Sequence, residues 1–187
     1  MIEWSVASVA LIKKVHCCNL TYYDDFATIR SNYLGLIKPD GALEIYHGGL
    51  RAKNAKGETI IDHADYCKYN DYIHEEVRSW TYMKFPYLLS LGTENGWYRV
   101  GPLARVNNCE YINTPLAEAA RVEFKAHSDE AMVHSTLAYH WARLVETLHA
   151  LLLGFAGFRF PSTNKIDNLA RRSGDRTGRG SCRCINR

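Results

Sequence analysis

The stretch Tyr33-Leu-Gly-Leu-Ile-Lys-Pro-Asp-Gly-Ala-Leu-Glu-Ile-Tyr-His-Gly-Gly-Leu-Arg-Ala-Lys-Asn-Ala-Lys-Gly-Glu-Thr-Ile-Ile-Asp62 decides the fold class. It divides into four short runs, Tyr33–Ile37, Leu43–Tyr46, Leu50–Lys53 and Thr59–Ile61. Between them lie Pro39-Asp40-Gly41, Gly48-Gly49 and Asn54–Gly57, all rich in turn formers. Short apolar runs at that spacing predict an antiparallel meander of hairpins. Gly48-Gly49 is not a phosphate loop, because no helical pattern follows it and no Lys-Ser/Thr closes it.

On either side of this stretch the period changes to that of helices. Over residues 1–18, Trp4, Ala7, Leu11 and Val15 recur at helical spacing, with Val9 and Ile12 beside them, and predict an N-terminal helix. Tyr69, Ile73 and Val77 stand at i, i+4 and i+8 and predict a helix over Lys68–Val77. Trp97–Val100 reads as a short strand. Thr114-Pro115 reads as a helix start, with Thr at the N-cap and Pro at the first helical position. A last helix is predicted from Asp129 to Leu153, with Leu137, Trp141, Leu144, Val145 and Leu148 as its stripe. The fold class that follows is α+β, mostly helical, with a small antiparallel sheet.

The chain has 187 residues, 47% hydrophobic and 23% charged, the composition of an ordinary globular protein. It holds no run of about 20 apolar residues, so no membrane span or membrane partner is expected. Glu3 precedes the first apolar stretch and Lys13-Lys14 follow it, the reverse of a secretory signal. A soluble, cytoplasmic protein is the expectation. The net charge of +3 conceals an asymmetry, because residues 159–187 carry eight Arg or Lys against Asp167 and Asp175. Nucleic-acid binding calls for basic charge on a folded face. Here it lies in a Gly/Ser/Arg-rich segment with few core formers, so no nucleic-acid partner is expected. Two regions are read, a folded body over 1–150 and a divergent, basic, disordered tail over 151–187.

No catalytic constellation emerges from the residues. The six cysteines, Cys17, Cys18, Cys67, Cys109, Cys182 and Cys184, contain no C-x-x-C pair. Cys182-x-Cys184 is too short a motif to establish a metal site. At 100° per residue, His134, His140 and His149 on the last helix share no face, and His74-Glu75-Glu76 lacks the second His of a zinc motif. The histidines are expected on the surface or hydrogen-bonded. Asp24-Asp25 read as a solvated loop. Ser162 and Lys165, spaced as a nucleophile pair, lie in the tail without companion motifs. The dense aromatic run from Trp80 to Tyr87 reads as packing or interface material. Arg105 is the polar group expected inside, where it needs a carboxylate or several carbonyl partners.

Three stretches taken together resemble one family. They are Arg30-Ser-Asn-Tyr-Leu-Gly-Leu-Ile-Lys-Pro-Asp-Gly-Ala-Leu-Glu44, Trp80-x-Tyr-Met-Lys-Phe-Pro-Tyr87 and Trp97-Tyr-Arg-Val-Gly-Pro-Leu-Ala-Arg-Val-Asn107. They resemble the middle of the large (α) subunit of nickel–iron hydrogenases, in the soluble, cytoplasmic, NAD-reducing or bidirectional group. Thr114–Glu118 and Leu137–Arg143 continue the likeness.

The resemblance implies an internal slice of the hydrogenase large-subunit fold. It implies a parent activity of reversible H₂ oxidation coupled to a soluble acceptor such as NAD. The implied partners are a hydrogenase small subunit carrying iron–sulfur clusters and, in NAD-linked assemblies, diaphorase subunits. In that family four cysteine thiolates, from R-x-C-G-x-C and D-P-C-x-x-C motifs, hold the nickel–iron centre, and soft thiolates suit nickel. Neither motif occurs here, so no catalytic, cofactor-binding or metal-ligating residue is carried over. This chain is expected to bind no such centre and to be inactive alone, as a fragment. The abrupt change of composition after about residue 150 suggests a truncated or frame-shifted reading. The alternative expectation is a non-catalytic module that docks another subunit.

Overall fold

Residues 1–19, 21–22, 26–128 and 130–158 are described by the computed structural model, with side chains given to residue 154. Three of the four predicted runs form an antiparallel meander, the first pairing directly with the third. Strand β1 (Asn32–Ile37) pairs antiparallel with β2 (Gly49–Lys53), from Tyr33 opposite Lys53 to Ile37 opposite Gly49. Strand β2 in turn pairs antiparallel with β3 (Thr59–Ala64). Gly57 sits at φ +87°, a left-handed conformation that favours glycine, and its amide donates to Asn54 O to close the turn.

Leu43–Tyr46, expected as a strand, makes only isolated bridges, Ile37 to Leu43 and Ala42 to Tyr111. Strand β2 occupies one edge of β1 over its length, and the intervening segment meets β1 only at Ile37.

The helix expected over Lys68–Val77 is absent. A 3-10 turn (Tyr66–Asp71) leads into strand β4 (Ile73–Val77), which pairs antiparallel with β5 (Lys84–Leu88). A spacing of four is even, so Ile73 and Val77 share a face in a strand as well as in a helix. Cross-strand partners decide the matter: Lys84 Nζ donates to Glu75 Oε2 at 2.7 Å, and the His74 ring contacts Tyr87.

After a 3-10 turn (Leu89–Leu91) and a single helical turn α2 (Gly92–Asn95), strand β6 (Tyr98–Arg99) joins the other edge of β1 in parallel. The sheet order is β3-β2-β1-β6. Helices α1 (Ile2–Cys18), α3 (Pro102–Asn108), α4 (Pro115–Ala126) and α5 (Ala138–Phe158) complete the described chain.

Strand alternation gives the sheet two packed faces. Tyr33 belongs to the larger core, with Leu103, Val106, Phe124, Trp141, Val145 and Leu148 from α3, α4 and α5. Leu34 belongs to a smaller core with Ala52, Ile61 and Leu88, against which Ile73 and Tyr98 pack. Helix α1 is present, and it buries the side of Val9 and Ile12 instead of that of Trp4 and Leu11. Ser5, Val9 and His16 are buried and Ile12 packs on the core, while Trp4 is 65% and Leu11 64% exposed. Both faces of this helix carry apolar residues, so periodicity could not choose between them.

The last helix begins at Ala138, not Asp129. Residues 130–137 run irregularly, with Ser135 O accepting from Ala138 N and Thr136 O from Tyr139 N. His134 therefore precedes the helix on which it was expected. Helix α5 continues through the expected boundary at residue 150, and the rest of the tail, with Ser162, Lys165, Cys182 and Cys184, lies outside the described residues. Asp24 and Asp25 lie outside them too. Among the described residues no helix is long and apolar enough to cross a membrane.

Candidate functional site

Helix α3 is where the elements meet. Gly101 (φ +88°) turns the chain into it, and Pro102 starts it at a position needing no amide donor. The helix lies close on the sheet because Gly35 has no side chain: a β-carbon there would sit 3.3 Å from Arg105 Cγ and from Asn108 Nδ2. Arg105 Nε and Nη2 donate to Glu146 Oε1 and Oε2 of α5 at 2.6 and 2.8 Å, the carboxylate partner that its position demands.

Three more contacts extend this hub. Asn107 clamps Val133, donating from Nδ2 to its carbonyl at 3.0 Å and accepting its amide at Oδ1 at 3.2 Å. Asn108 Nδ2 donates to Tyr33 O and Arg51 O, joining α3 to β1 and β2. Lys125 Nζ, from α4, donates to Asn107 O at 3.1 Å.

Sequence reasoning found Arg105 but missed its companions. Asn107, Asn108, Arg51 and Arg121 are also buried. Arg51 is held by Asp62 at 2.7 Å and Glu110 at 3.0 Å, and Arg121 by Glu118 at 2.7 Å. The one available signal was the doubled Asn at the end of an apolar helix. Consecutive amides there suit the carbonyls of neighbouring segments.

The polar groups of the hub are engaged in joining segments. Burial pushes the Cys109 thiol up to about 11, and its Sγ donates to Val106 O, so it is neither a ready ligand nor a nucleophile. Burial, the main influence on Tyr33, also raises that phenol. Cys17, Cys18 and Cys67 are exposed thiols on two separate elements. Among the described residues no three His, Cys, Asp or Glu side chains come together in a way that could hold a metal ion. The donor set of the described residues therefore does not fit a four-thiolate nickel–iron centre.

The histidines are placed by hydrogen bonds and packing. His149 Nδ1 lies 2.9 Å from Thr114 Oγ1, which is why Thr114 makes no cap bond to its own helix. His16, His127 and Trp141 form an edge-on ring cluster with centroid separations of 4.6–5.6 Å.

The aromatic run of residues 80–87 divides in two. Lys84–Leu88 is β5, and the connection before it presents Trp80 (76% exposed), Tyr82 (98%) and Met83 to solvent. Trp80 touches Phe85, with ring centroids 5.8 Å apart. A second apolar surface lies between α1 and α4, a groove of about 520 Å³ lined by Val6, Val9, Ala119, Ala120 and Leu148, with the Lys13–Glu123 ion pair among its residues. Exposed aromatic and apolar patches of this kind are the material of protein interfaces.

No protein-family model matches the chain. It is 37% identical over 150 residues to the NAD-reducing hydrogenase HoxS subunit beta of Cupriavidus necator, covering 80% of this chain and 30% of that protein. The resemblance is to hydrogenase subunits. The A subunit of the vhu F420-non-reducing hydrogenase of Methanococcus voltae is also 37% identical over 150 residues, 80% of this chain and 35% of that one. The A subunit of the F420-non-reducing hydrogenase of Methanothermobacter thermautotrophicus is 33% identical over 188 residues, 95% of this chain and 38% of that one. A crystal structure of an NAD⁺-reducing [NiFe]-hydrogenase in the H₂-reduced state superposes with a TM-score of 0.74 at 44% identity, covering 79% of this chain and 33% of that one. The chain thus spans about a third of the length of these relatives.

These names correct the reading made on motifs alone. The relatives are called beta or A subunits, and none is called a large (α) subunit. The assignment to a fragment of the nickel-bearing large subunit is accordingly withdrawn, as is the placement of the fold as a slice of that subunit. The motif stretches that suggested it are β1 with the turn after it, the exposed connection leading into β5, and β6 with the α3 hub. Such packing motifs carry kinship and say nothing of which subunit holds the metal.

Proposed function

We propose that this chain is a structural, subunit-docking region of a hydrogenase subunit of the beta or A kind. It serves H₂-linked redox chemistry by holding an assembly together. The observation that carries the reading is the 44% identity at a TM-score of 0.74 to the NAD⁺-reducing hydrogenase structure. The lack of a metal-holding cluster among the described residues supports a scaffold role. So does the exposed Trp80–Met83 connection, since Trp, Tyr and Met are enriched where proteins meet. In this reading the redox groups, the nickel–iron centre included, reside outside the described residues. The partners are iron–sulfur-carrying and diaphorase subunits, the acceptor is NAD, and the compartment is the cytoplasm.

The test is reconstitution with the remaining subunits of the cognate NAD-reducing hydrogenase. A stoichiometric complex by size-exclusion chromatography with light scattering is the expected result. Its weakening by Trp80→Ser with Tyr82→Ser, at unchanged melting temperature, is expected too. A chain that stays apart from every one of those subunits overturns the proposal.

A further inference from the structure

His134 lies buried in the segment between α4 and α5, and its two ring nitrogens face different surroundings. Nε2 stands 3.2 Å from Ala55 O in the β2–β3 turn and 3.2 Å from Glu130 Oε2. Both are acceptors, so Nε2 carries hydrogen in either protonation state. Nδ1 stands 2.7 Å from the Tyr33 hydroxyl of β1, and that hydroxyl is 3.0 Å from Val133 O. The hydroxyl has one hydrogen and two acceptors in reach. Val133 O is separately satisfied by Asn107 Nδ2 at 3.0 Å, so it is left with a partner when Tyr33 turns away.

We infer that Tyr33 and His134 form a protonation-sensitive relay between the 130–134 segment and the central strand. With a neutral imidazole, the Tyr33 hydrogen points at Nδ1. When His134 takes a proton from solvent, that proton occupies Nδ1 and points at the Tyr33 oxygen, and the Tyr33 hydrogen turns to Val133 O. Neither arrangement leaves a buried polar atom unpaired, which is what makes both available to the folded chain.

The charged and titratable surroundings set which arrangement prevails. Burial, the first influence, lowers the His134 pKa, while Glu130 opposes this, and Arg30 before β1 and Arg99 of β6 reinforce it. Tyr139 of α5 and Arg99 face Tyr33. The neutral form therefore holds at pH 7.5. Glu130 also ion-pairs with Arg30 at 2.6 Å, so an imidazolium at His134 shares that carboxylate and ties residue 30 to the relay. The sign of the linkage follows. The folded chain binds the His134 proton less readily than the unfolded one, so stability is fully present above the ordinary value of about 6.5 and falls as pH drops through the lower folded value.

Nitrogen-15 and carbonyl carbon-13 NMR of the whole chain tests this. At pH 7.5 long-range correlations should show Nε2 protonated and Nδ1 bare. On acidification the Val133 carbonyl shift should move with the same midpoint as the His134 ring. In Tyr33→Phe the ring should still titrate while the Val133 response disappears, and Glu130→Gln should lower the His134 midpoint. A proton on Nδ1 at pH 7.5, or a Val133 carbonyl shift that stays flat across the His134 titration, overturns the inference. The wild-type spectra alone suffice for both outcomes, whatever the variants do to folding.

Discussion

Replacing Arg105 by methionine leaves Glu146 as a buried carboxylate stripped of its partner. The pair is two-pronged, at 2.6 and 2.8 Å, with the arginine side chain 25% and the glutamate side chain 10% exposed. Removing one partner of a fully buried pair costs about 3–5 kcal/mol. Water reaching the quarter-exposed guanidinium screens part of this, so about 2–4 kcal/mol is expected. Arg105→Lys keeps the charge and loses the planar fork, at about 1–2 kcal/mol. The double change Arg105→Met with Glu146→Leu removes both charges and should return to within about 1 kcal/mol of the wild type. Urea unfolding at pH 7 reads these variants beside the wild type and Glu146→Leu alone, and a coupling energy follows from the cycle of wild type, Arg105→Met, Glu146→Leu and their double variant. Two results refute the reasoning: an unchanged midpoint for Arg105→Lys, or a double variant whose loss is the simple sum of the single ones. In the latter case the pair is incidental and the hub is held by the Asn107 and Asn108 amides instead.

Lys125→Met should stabilise the chain by about 1 kcal/mol at pH 7, because burial holds this ammonium down to about 8 and its hydrogen-bond acceptor is the Asn107 carbonyl. The folded chain binds this proton less readily, so wild-type stability should rise between about pH 8 and 10.5, and the variant should lack that rise. Gly48→Ala should cost about 1–3 kcal/mol, since the added β-carbon would fall 2.4 Å from Ile37 O and the β1–β2 register would have to shift; a midpoint equal to wild type would contradict this. Trp4→Glu with Leu11→Lys on the outward face of α1 should reduce self-association in light scattering while moving stability by no more than about 0.5 kcal/mol. A large stability loss there would mean that this face is buried in the monomer.

The candidate site was legible only where one residue announced its own need. Arg105, within an apolar run, demanded a carboxylate or several carbonyls, but nothing local chose between them or named Glu146, which lies 41 positions away. Arg51, Asn107 and Asn108 passed unnoticed because their partners come from other elements. Kinship to hydrogenases was readable from motif stretches, since these encode packing geometry. The subunit was not, because the same packing geometry does not specify which subunit carries a metal.

For the fold, the amino-acid order alone determined what local chemistry controls. The two turns at residues 38–41 and 54–57 follow from their Gly, Pro, Asp and Asn residues, and the Thr114-Pro115 start of α4 follows from the fixed φ of proline. Tertiary structure decided everything that depends on competition between distant segments. It chose which face of α1 is buried, because both faces are apolar and only the packing of α5 against one of them breaks the tie. It made residues 73–77 a strand, because Lys84–Leu88 supplied a ladder that a helix there would have left unpaired. It also kept Leu43–Tyr46 out of the sheet, because β2 pairs directly with β1 and this segment is left a single bridge at Ile37.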